Sequence, residues 1–319
     1  MSPTRQVAVL DDYQHVAQRF ADWSSLDADV TVFHDHLADP ARLIERLKPF
    51  EVLVAMRERT AFPRPVLEAL PNLKLLVTTG PFNAAIDVAA ARSLGITVCG
   101  TGGKLFPTAE LSWGLILACV KEIPRGDAAV RAGEWQVAVG GDLAGARLGV
   151  IGLGRLGGAV ARVGKAFDME VCAWSQNLEA ARCEELGVEK VSKEDLLRSS
   201  DVVSIHLVLS ERTRGLISAA DLRAMKPSSY LVNTSRGPIV EEEALVKALR
   251  EGWIAGAGLD VFDTEPLPGD HPLRTLPNVV LSPHMGYVTE ETYRVFYGDA
   301  VEDIVAFYRG SPVRVLAPG

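Results

Sequence analysis

The sequence predicts an α/β protein made of two doubly wound, parallel-sheet units. Short and nearly continuous apolar runs alternate with amphipathic helical segments along the chain. The alternation occurs twice, with a strongly apolar helical stretch from Pro107 to Lys121 between the two series. Continuous apolar strands separated by helices belong to parallel sheets covered on both faces. A length of 319 residues agrees, being enough for two domains of ordinary size.

In the first series Val7–Leu10, Glu51–Ala55, Lys74–Thr78 and Ile96–Cys99 read as buried strands, and Ala41–Leu47 and Ala84–Leu94 as helices. The second series opens at Arg147. Its strands are Leu148–Ile151, Glu170–Trp174, Val202–Ile205, Tyr230–Asn233, Ala255–Leu259 and Val279–Leu281, with helices such as Leu156–Phe167 and Glu242–Glu251 between them. A last helix is expected over Glu290–Tyr308, after a loop holding Pro283, His284 and Gly286.

Composition narrows the function. A formal net charge of −8 leaves no basic excess for phosphate backbones, which argues against nucleic acid as a main partner. The four cysteines, Cys99, Cys119, Cys172 and Cys183, form no CxxC pair, and no His/Cys cluster has zinc-ligand spacing, so no metal is expected. The amino terminus lacks an apolar targeting core, and the longest apolar stretch, Leu111–Val120, is too short to span a bilayer. No membrane association is expected, and the cytoplasm is the expected location.

The first motif with chemistry is a GxGxxG pattern at Gly152, Gly154 and Gly157, preceded by an apolar strand and followed by an amphipathic helix. That context turns a weak pattern into a dinucleotide-binding, Rossmann-type reading. Gly152 permits the tight turn, Gly154 lets a pyrophosphate approach the backbone, and Gly157 lets helix and strand pack closely. Arg155 is positioned to add a charge. The acid usually found on the ribose at the end of the second strand is missing, and Ser175 stands there, followed by Gln176 and Asn177. No Arg occurs from Ser175 to Ala181, and Arg182 is expected on the following helix. Either NAD or NADP is compatible, and the missing acid favours NADP.

Three further segments end strands of the second series: Leu231-Val-Asn-Thr-Ser-Arg-Gly237, Leu259-Asp-Val-Phe-Asp-Thr-Glu-Pro266 and Leu281-Ser-Pro-His-Met-Gly286. Loops at the carboxyl ends of strands form the ligand crevice of an open α/β sheet. A histidine can supply a proton near neutral pH, a carboxylate on its other ring nitrogen orients it, and a guanidinium fork matches a carboxylate.

Taken with the glycine motif, these segments resemble the D-isomer-specific 2-hydroxyacid dehydrogenase family over nearly the whole chain. The resemblance implies a Rossmann-type cofactor domain, residues 101–289, inserted into a flavodoxin-like outer substrate domain, residues 1–100 plus 290–319. A cleft between the two would close over a small 2-oxo or 2-hydroxy acid. It assigns the substrate carboxylate to Arg236, the acid/base role to His284, its support to Glu265 and a nicotinamide contact to Asp260. The expected cofactor set is Gly152, Gly154, Arg155, Leu156, Gly157, Ser175, Gln176, His206, Thr234, Asp260 and Thr108. His206 is expected to line the crevice rather than move protons. Arg57 and the loop from Thr79 and Gly80 to Asn83 resemble the outer-domain substrate contacts, where backbone N–H groups meet the carboxylate. Pro81 and Phe82 would narrow that pocket. The resemblance also implies a homodimer, with Leu111–Val120 and Trp135 as contributors. Two other readings share the fold: a nucleotide-sensing, corepressor-like binding protein, separable by turnover of a 2-oxo acid, and a short phosphoglycerate dehydrogenase without a regulatory domain.

Overall fold

The computed structural model describes residues 5–104 and 106–318. It divides into two compact units, Met1–Lys104 with Val288–Gly319, and Leu105–Tyr287.

The first unit holds five strands: β1 (Arg5–Val9), β2 (Ala28–Val32), β3 (Val52–Ala55), β4 (Leu75–Thr78) and β5 (Thr97–Gly100). They pair in parallel in the order β2-β1-β3-β4-β5, so the strand order reverses between β1 and β3. Two of the three inner strands, β3 and β4, are buried along their whole length, as expected of apolar runs covered on both faces. The sequence reading missed β2. It lies at the sheet edge and alternates half-buried and exposed residues, with Asp29 and Thr31 facing water, so it lacks an apolar run. The helix read from Ala84 begins only at Val88, because the Asp87 side chain accepts the Ala90 N–H and caps it there. The helix Glu290–Tyr308 has the expected bounds and buries Phe296, Tyr297, Ala300 and Ile304 in this unit. Beyond it, the Arg314 carbonyl accepts the Gly100 N–H and the Leu316 N–H donates to the Val98 carbonyl, both on β5.

The second unit holds seven strands: β6 (Arg147–Ile151), β7 (Glu170–Trp174), β8 (Glu189–Lys190), β9 (Val202–Ile205), β10 (Tyr230–Asn233), β11 (Gly256–Leu259) and β12 (Val279–Leu281). All pairings are parallel, in the order β12-β11-β10-β9-β6-β7-β8. Every carboxyl end therefore opens on the same side. The order reverses between β6 and β9, the switch point where doubly wound sheets bind ligands. Two parallel α/β sheets, one unit inserted in the other along the chain, are what the sequence predicts.

The helix Phe106–Val120 corrects one expectation. Most of Leu111–Val120 is consumed inside the second unit: Ser112, Trp113, Leu115, Ile116, Cys119 and Val120 are buried, and the Trp113 indole donates to the Val160 carbonyl. The exposed apolar side chains come after it, on an unforeseen helix Ile123–Arg131 and the loop that follows. Ile123, Val130, Trp135 and Val139 are all exposed there, and Ala129 alone is buried in that helix. Among the described residues, no helix is long and apolar enough to cross a membrane.

Candidate active site

The glycine turn sits at the carboxyl end of β6. Gly152 has φ +97, and a Cβ there would lie 2.4 Å from the His206 carbonyl oxygen, so only glycine fits. A Cβ on Gly157 would lie 2.0 Å from the Gly152 oxygen, which is the close helix–strand contact expected of this position. Gly154 is different. It is exposed and nothing lies within 4 Å of its missing Cβ. It also begins the helix Arg155–Ala166 without a side-chain cap. Among the described residues no side chain caps the first-turn N–H groups, and the opening at Gly154 is a fit for the phosphates of a dinucleotide. Arg155 is exposed beside them and Leu156 half-buried.

The neighbouring strand ends complete this side. Gly152 N–H donates to the Trp174 carbonyl at 2.8 Å, which brings the end of β7 against the turn. Ser175 is half-buried, and Gln176 and Asn177 are exposed. His206 directly follows β9, with Nε2 2.8 Å from Ser204 Oγ. Burial pushes its pKa down to about 4, so it is neutral at physiological pH and unsuited to proton transfer.

The other strand ends carry the candidate catalytic groups. His284 Nδ1 lies 2.6 Å from Glu265 Oε2, and Glu265 Oε1 accepts the Phe262 N–H at 2.9 Å. Both carboxylate oxygens are thus engaged. His284 itself has φ +51, a left-handed conformation uncommon for a non-glycine residue. Asp260 holds it there. This buried carboxylate accepts the Ser282 hydroxyl at 2.6 Å, the Met285 N–H at 2.8 Å and the Gly286 N–H at 2.9 Å. Burial raises the Asp260 pKa, and the Ser282 bond, the two amides and the nearby His284 oppose that rise. The sequence reading gave Asp260 only a cofactor contact and missed this clamp.

Arg236 follows β10, half-buried, with Nη1 2.7 Å from the Ser235 carbonyl. Its loop is shaped by Asn233, which the sequence reading passed over. The Asn233 amide donates to the Arg236 carbonyl at 3.0 Å and its oxygen accepts the Ser235 N–H at 3.0 Å. The next residue, Gly237, lies flat on the glutamate loop: a Cβ there would come 2.1 Å from the Phe262 carbonyl carbon. The Arg236 loop and the Phe262–Glu265 loop are therefore packed backbone to backbone. A polar string joins this group to the first helix of the unit. Thr108 Oγ1 donates to the Gly286 carbonyl at 3.0 Å, and Ser112 Oγ bonds the Thr108 carbonyl and Thr234 Oγ1, each at 2.8 Å. Ser112 was also missed, since a serine in an apolar helix gives no signal of its own.

In the first unit, Arg57 follows β3 at the strand-order reversal, with φ +51. Its Nη1 is 3.2 Å from the Thr79 carbonyl and its Nε 3.6 Å from Glu58. Gly80 lies under the guanidinium, since a Cβ there would be 1.7 Å from Nη1. The Thr79 N–H is committed to the Ala55 carbonyl at 3.0 Å and the Gly80 N–H to Thr101 Oγ1 at 2.7 Å. Pro81 has no N–H. The expectation that this loop offers amides to a carboxylate therefore narrows to the residues beyond Pro81.

The chain matches, over residues 113–286, the family described as D-isomer specific 2-hydroxyacid dehydrogenase, NAD binding domain. It belongs to that family. This dehydrogenase is 45% identical over 255 residues to a glyoxylate reductase of Aeropyrum pernix, covering 77% of this chain and 76% of that one. It is 42% identical to a glyoxylate reductase of Korarchaeum cryptofilum, covering 84% and 82%. Among solved structures, a phosphoglycerate oxidoreductase from Vibrio cholerae superposes with a TM-score of 0.92 at 40% identity, covering 97% of this chain and 100% of that chain. The apo form of D-lactate dehydrogenase from Escherichia coli superposes with a TM-score of 0.83 at 25% identity, covering 98% and 100%. The dehydrogenase is an NAD(P)-dependent oxidoreductase that acts on a small 2-hydroxy or 2-oxo acid.

Proposed function

We propose that the protein reduces a small 2-oxo acid to the D-2-hydroxy acid, and runs the reverse oxidation, with His284 as acid/base, Glu265 as its support and Arg236 on the substrate carboxylate. The observation that carries this reading is the 2.6 Å bond from His284 Nδ1 to Glu265, a carboxylate whose other oxygen is already held by the Phe262 N–H. The nicotinamide cofactor supplies the hydride that reaches C2. His284 directs Nδ1–H at Glu265 and keeps Nε2 to deliver a proton to the carbonyl oxygen, or to take it back in the oxidation. Arg236 presents a planar fork to the carboxylate, and Arg57, with Thr79 and Gly80 shaping its seat, supplies the first unit's cation. Gly152, Gly154, Arg155, Leu156 and Gly157 serve the pyrophosphate, Ser175 and Gln176 the ribose, and Thr108, His206, Thr234 and Asp260 the remaining cofactor contacts.

NADPH is the preferred cofactor in this reading, because no carboxylate at the end of β7 would repel a 2′-phosphate. The substrate is a glyoxylate, a hydroxypyruvate or a short alkyl homologue, since Pro81 and the 53%-exposed Phe82 give the substrate loop an apolar edge. The functional unit is a homodimer built on the exposed face of residues 122–141. One assay tests the chemistry: glyoxylate, hydroxypyruvate, pyruvate and 3-phosphohydroxypyruvate, each with NADPH and NADH, in wild type and Ser175→Asp. The expected result is highest kcat/KM for the small unphosphorylated acids with NADPH, and a shift toward NADH in the variant. A large preference for 3-phosphohydroxypyruvate would overturn the substrate reading. A wild type that favours NADH about tenfold, about 1.4 kcal/mol, would overturn the cofactor reading.

A further inference from the structure

We propose that Arg182 reads the adenosine 2′-phosphate and that Glu185 tempers it; this rests on the reading that the second unit takes NADP(H). Ser175, Gln176 and Asn177 supply no charge at the end of β7, so a 2′-phosphate needs a cation from elsewhere. The glycine turn shows where one stands. Gly152 N–H bonds the Trp174 carbonyl, so the chain leaves β7 through Ser175 beside that turn. The very next carbonyl, that of Leu153, accepts Arg182 Nε at 3.3 Å. Ser175 and Arg182 thus flank the same two-residue turn from neighbouring segments.

The seat of the guanidinium is cut for it. Arg182 Nη2 lies 2.9 Å from the position a Cβ would take on buried Gly158, so any side chain at 158 would push it away. Its only anionic partner among the described contacts is Glu185, with Nη1 2.6 Å from Oε2. The Leu153 carbonyl neutralises no charge, and Glu185 is 63% exposed, a setting in which an ion pair holds weakly. Arg182 remains 32% exposed. A phosphate dianion offers a guanidinium more charge and more acceptors than one solvated carboxylate, so it outcompetes Glu185 for the fork.

The test uses two ligands that differ only by the phosphate in question, adenosine 2′,5′-bisphosphate and 5′-AMP, titrated calorimetrically into wild type, Arg182→Gln and Glu185→Gln. Wild type should favour the bisphosphate. Arg182→Gln should erase that preference, lowering bisphosphate affinity about tenfold while leaving 5′-AMP within about twofold. Glu185→Gln, which leaves the Arg182–Leu153 bond in place, should widen the preference. An unchanged preference in Arg182→Gln, or an equal loss of both ligands, would overturn the assignment to Arg182. A wild type without preference would instead overturn the NADPH reading, and Arg182 would then stand or fall on whether Glu185→Gln brings a preference out.

Discussion

Glu265 is a carboxylate with two donors and one acceptor oxygen for each, Phe262 N–H on Oε1 and His284 Nδ1–H on Oε2. Glutamine has one such oxygen, so Glu265→Gln must leave one donor facing an NH2 group. Either the Phe262 amide is stranded or the imidazole is turned to the wrong tautomer. The variant should lose about a hundredfold or more in kcat, on the scale seen when a supporting carboxylate is amidated. Arg236→Lys should keep a charge but lose the fork, costing about a hundredfold in turnover of carboxylate substrates. Cofactor affinity, read by NADPH fluorescence, should stay near wild type in both; equal loss of NADPH binding would tell against these roles. The His284–Glu265 pairing was legible in the sequence because both residues sit in motif runs just after strands. Asp260, Asn233 and Ser112 were not legible as positioning groups: Asp260 gathers Ser282, Met285 and Gly286 from another strand end, Asn233 bonds the backbone of its own turn, and Ser112 reaches the Thr234 hydroxyl of a distant segment, contacts that leave no mark in a residue pattern.

The glycine turn separates two functions of one residue type. Gly157 is needed by the fold, since its Cβ would strike the Gly152 oxygen at 2.0 Å, whereas Gly154 borders open space. Gly157→Ala should therefore destabilise the protein by about 2 kcal/mol, as overpacking does, and weaken dinucleotide binding with it. Gly154→Ala should leave the thermal midpoint nearly unchanged and weaken dinucleotide binding alone. Melting curves with and without NADPH distinguish the two, and a Gly154→Ala protein that binds normally would remove the phosphate from that opening. The same contrast explains which elements the sequence revealed. Inner strands such as β3, β4 and β9 are buried along their whole length and carry nearly continuous apolar runs because both faces are covered. β2, the two-residue β8 and the helix Ile123–Arg131 escaped notice because each is an edge or a surface piece, half or wholly exposed.

At the scale of the whole molecule, stability should depend on one buried acid. Asp303 is fully buried, bonds Arg314 through Oδ1 at 3.0 Å, and has no partner for Oδ2 among the described residues. Burial, with Asp299 and Glu302 nearby, lifts its pKa to about 7 against the opposing pull of Arg314. The folded state thus holds a proton between pH 3.8 and about 7 that the unfolded chain releases. Stability linked to Asp303 is greatest at the acid end of that window and declines as pH rises through about 7. Asp303→Asn, which copies the neutral form, should gain relative to wild type between pH 5 and pH 8 in urea midpoints. A difference constant across that range would show that Asp303 is ionised throughout. Assembly is the other property at this scale. Trp135, 76% exposed, and Val139, 98% exposed, have little packing within the chain; on the proposed homodimer reading, wild type should sediment as a dimer and Trp135→Glu should move it toward monomer, and a monomeric wild type would overturn that reading.

Gly237, pressed against Phe262, has an evolutionary consequence. With no room for a single carbon between the arginine loop and the glutamate loop, the two loops form a welded block that tolerates little drift. The segment from Pro81 to Phe82 is exposed and carries no such constraint. Laboratory selection for growth on a bulkier 2-oxo acid should therefore collect substitutions there and leave residues 233–237 and 260–265 unaltered, so that new substrates are acquired without rebuilding the chemistry.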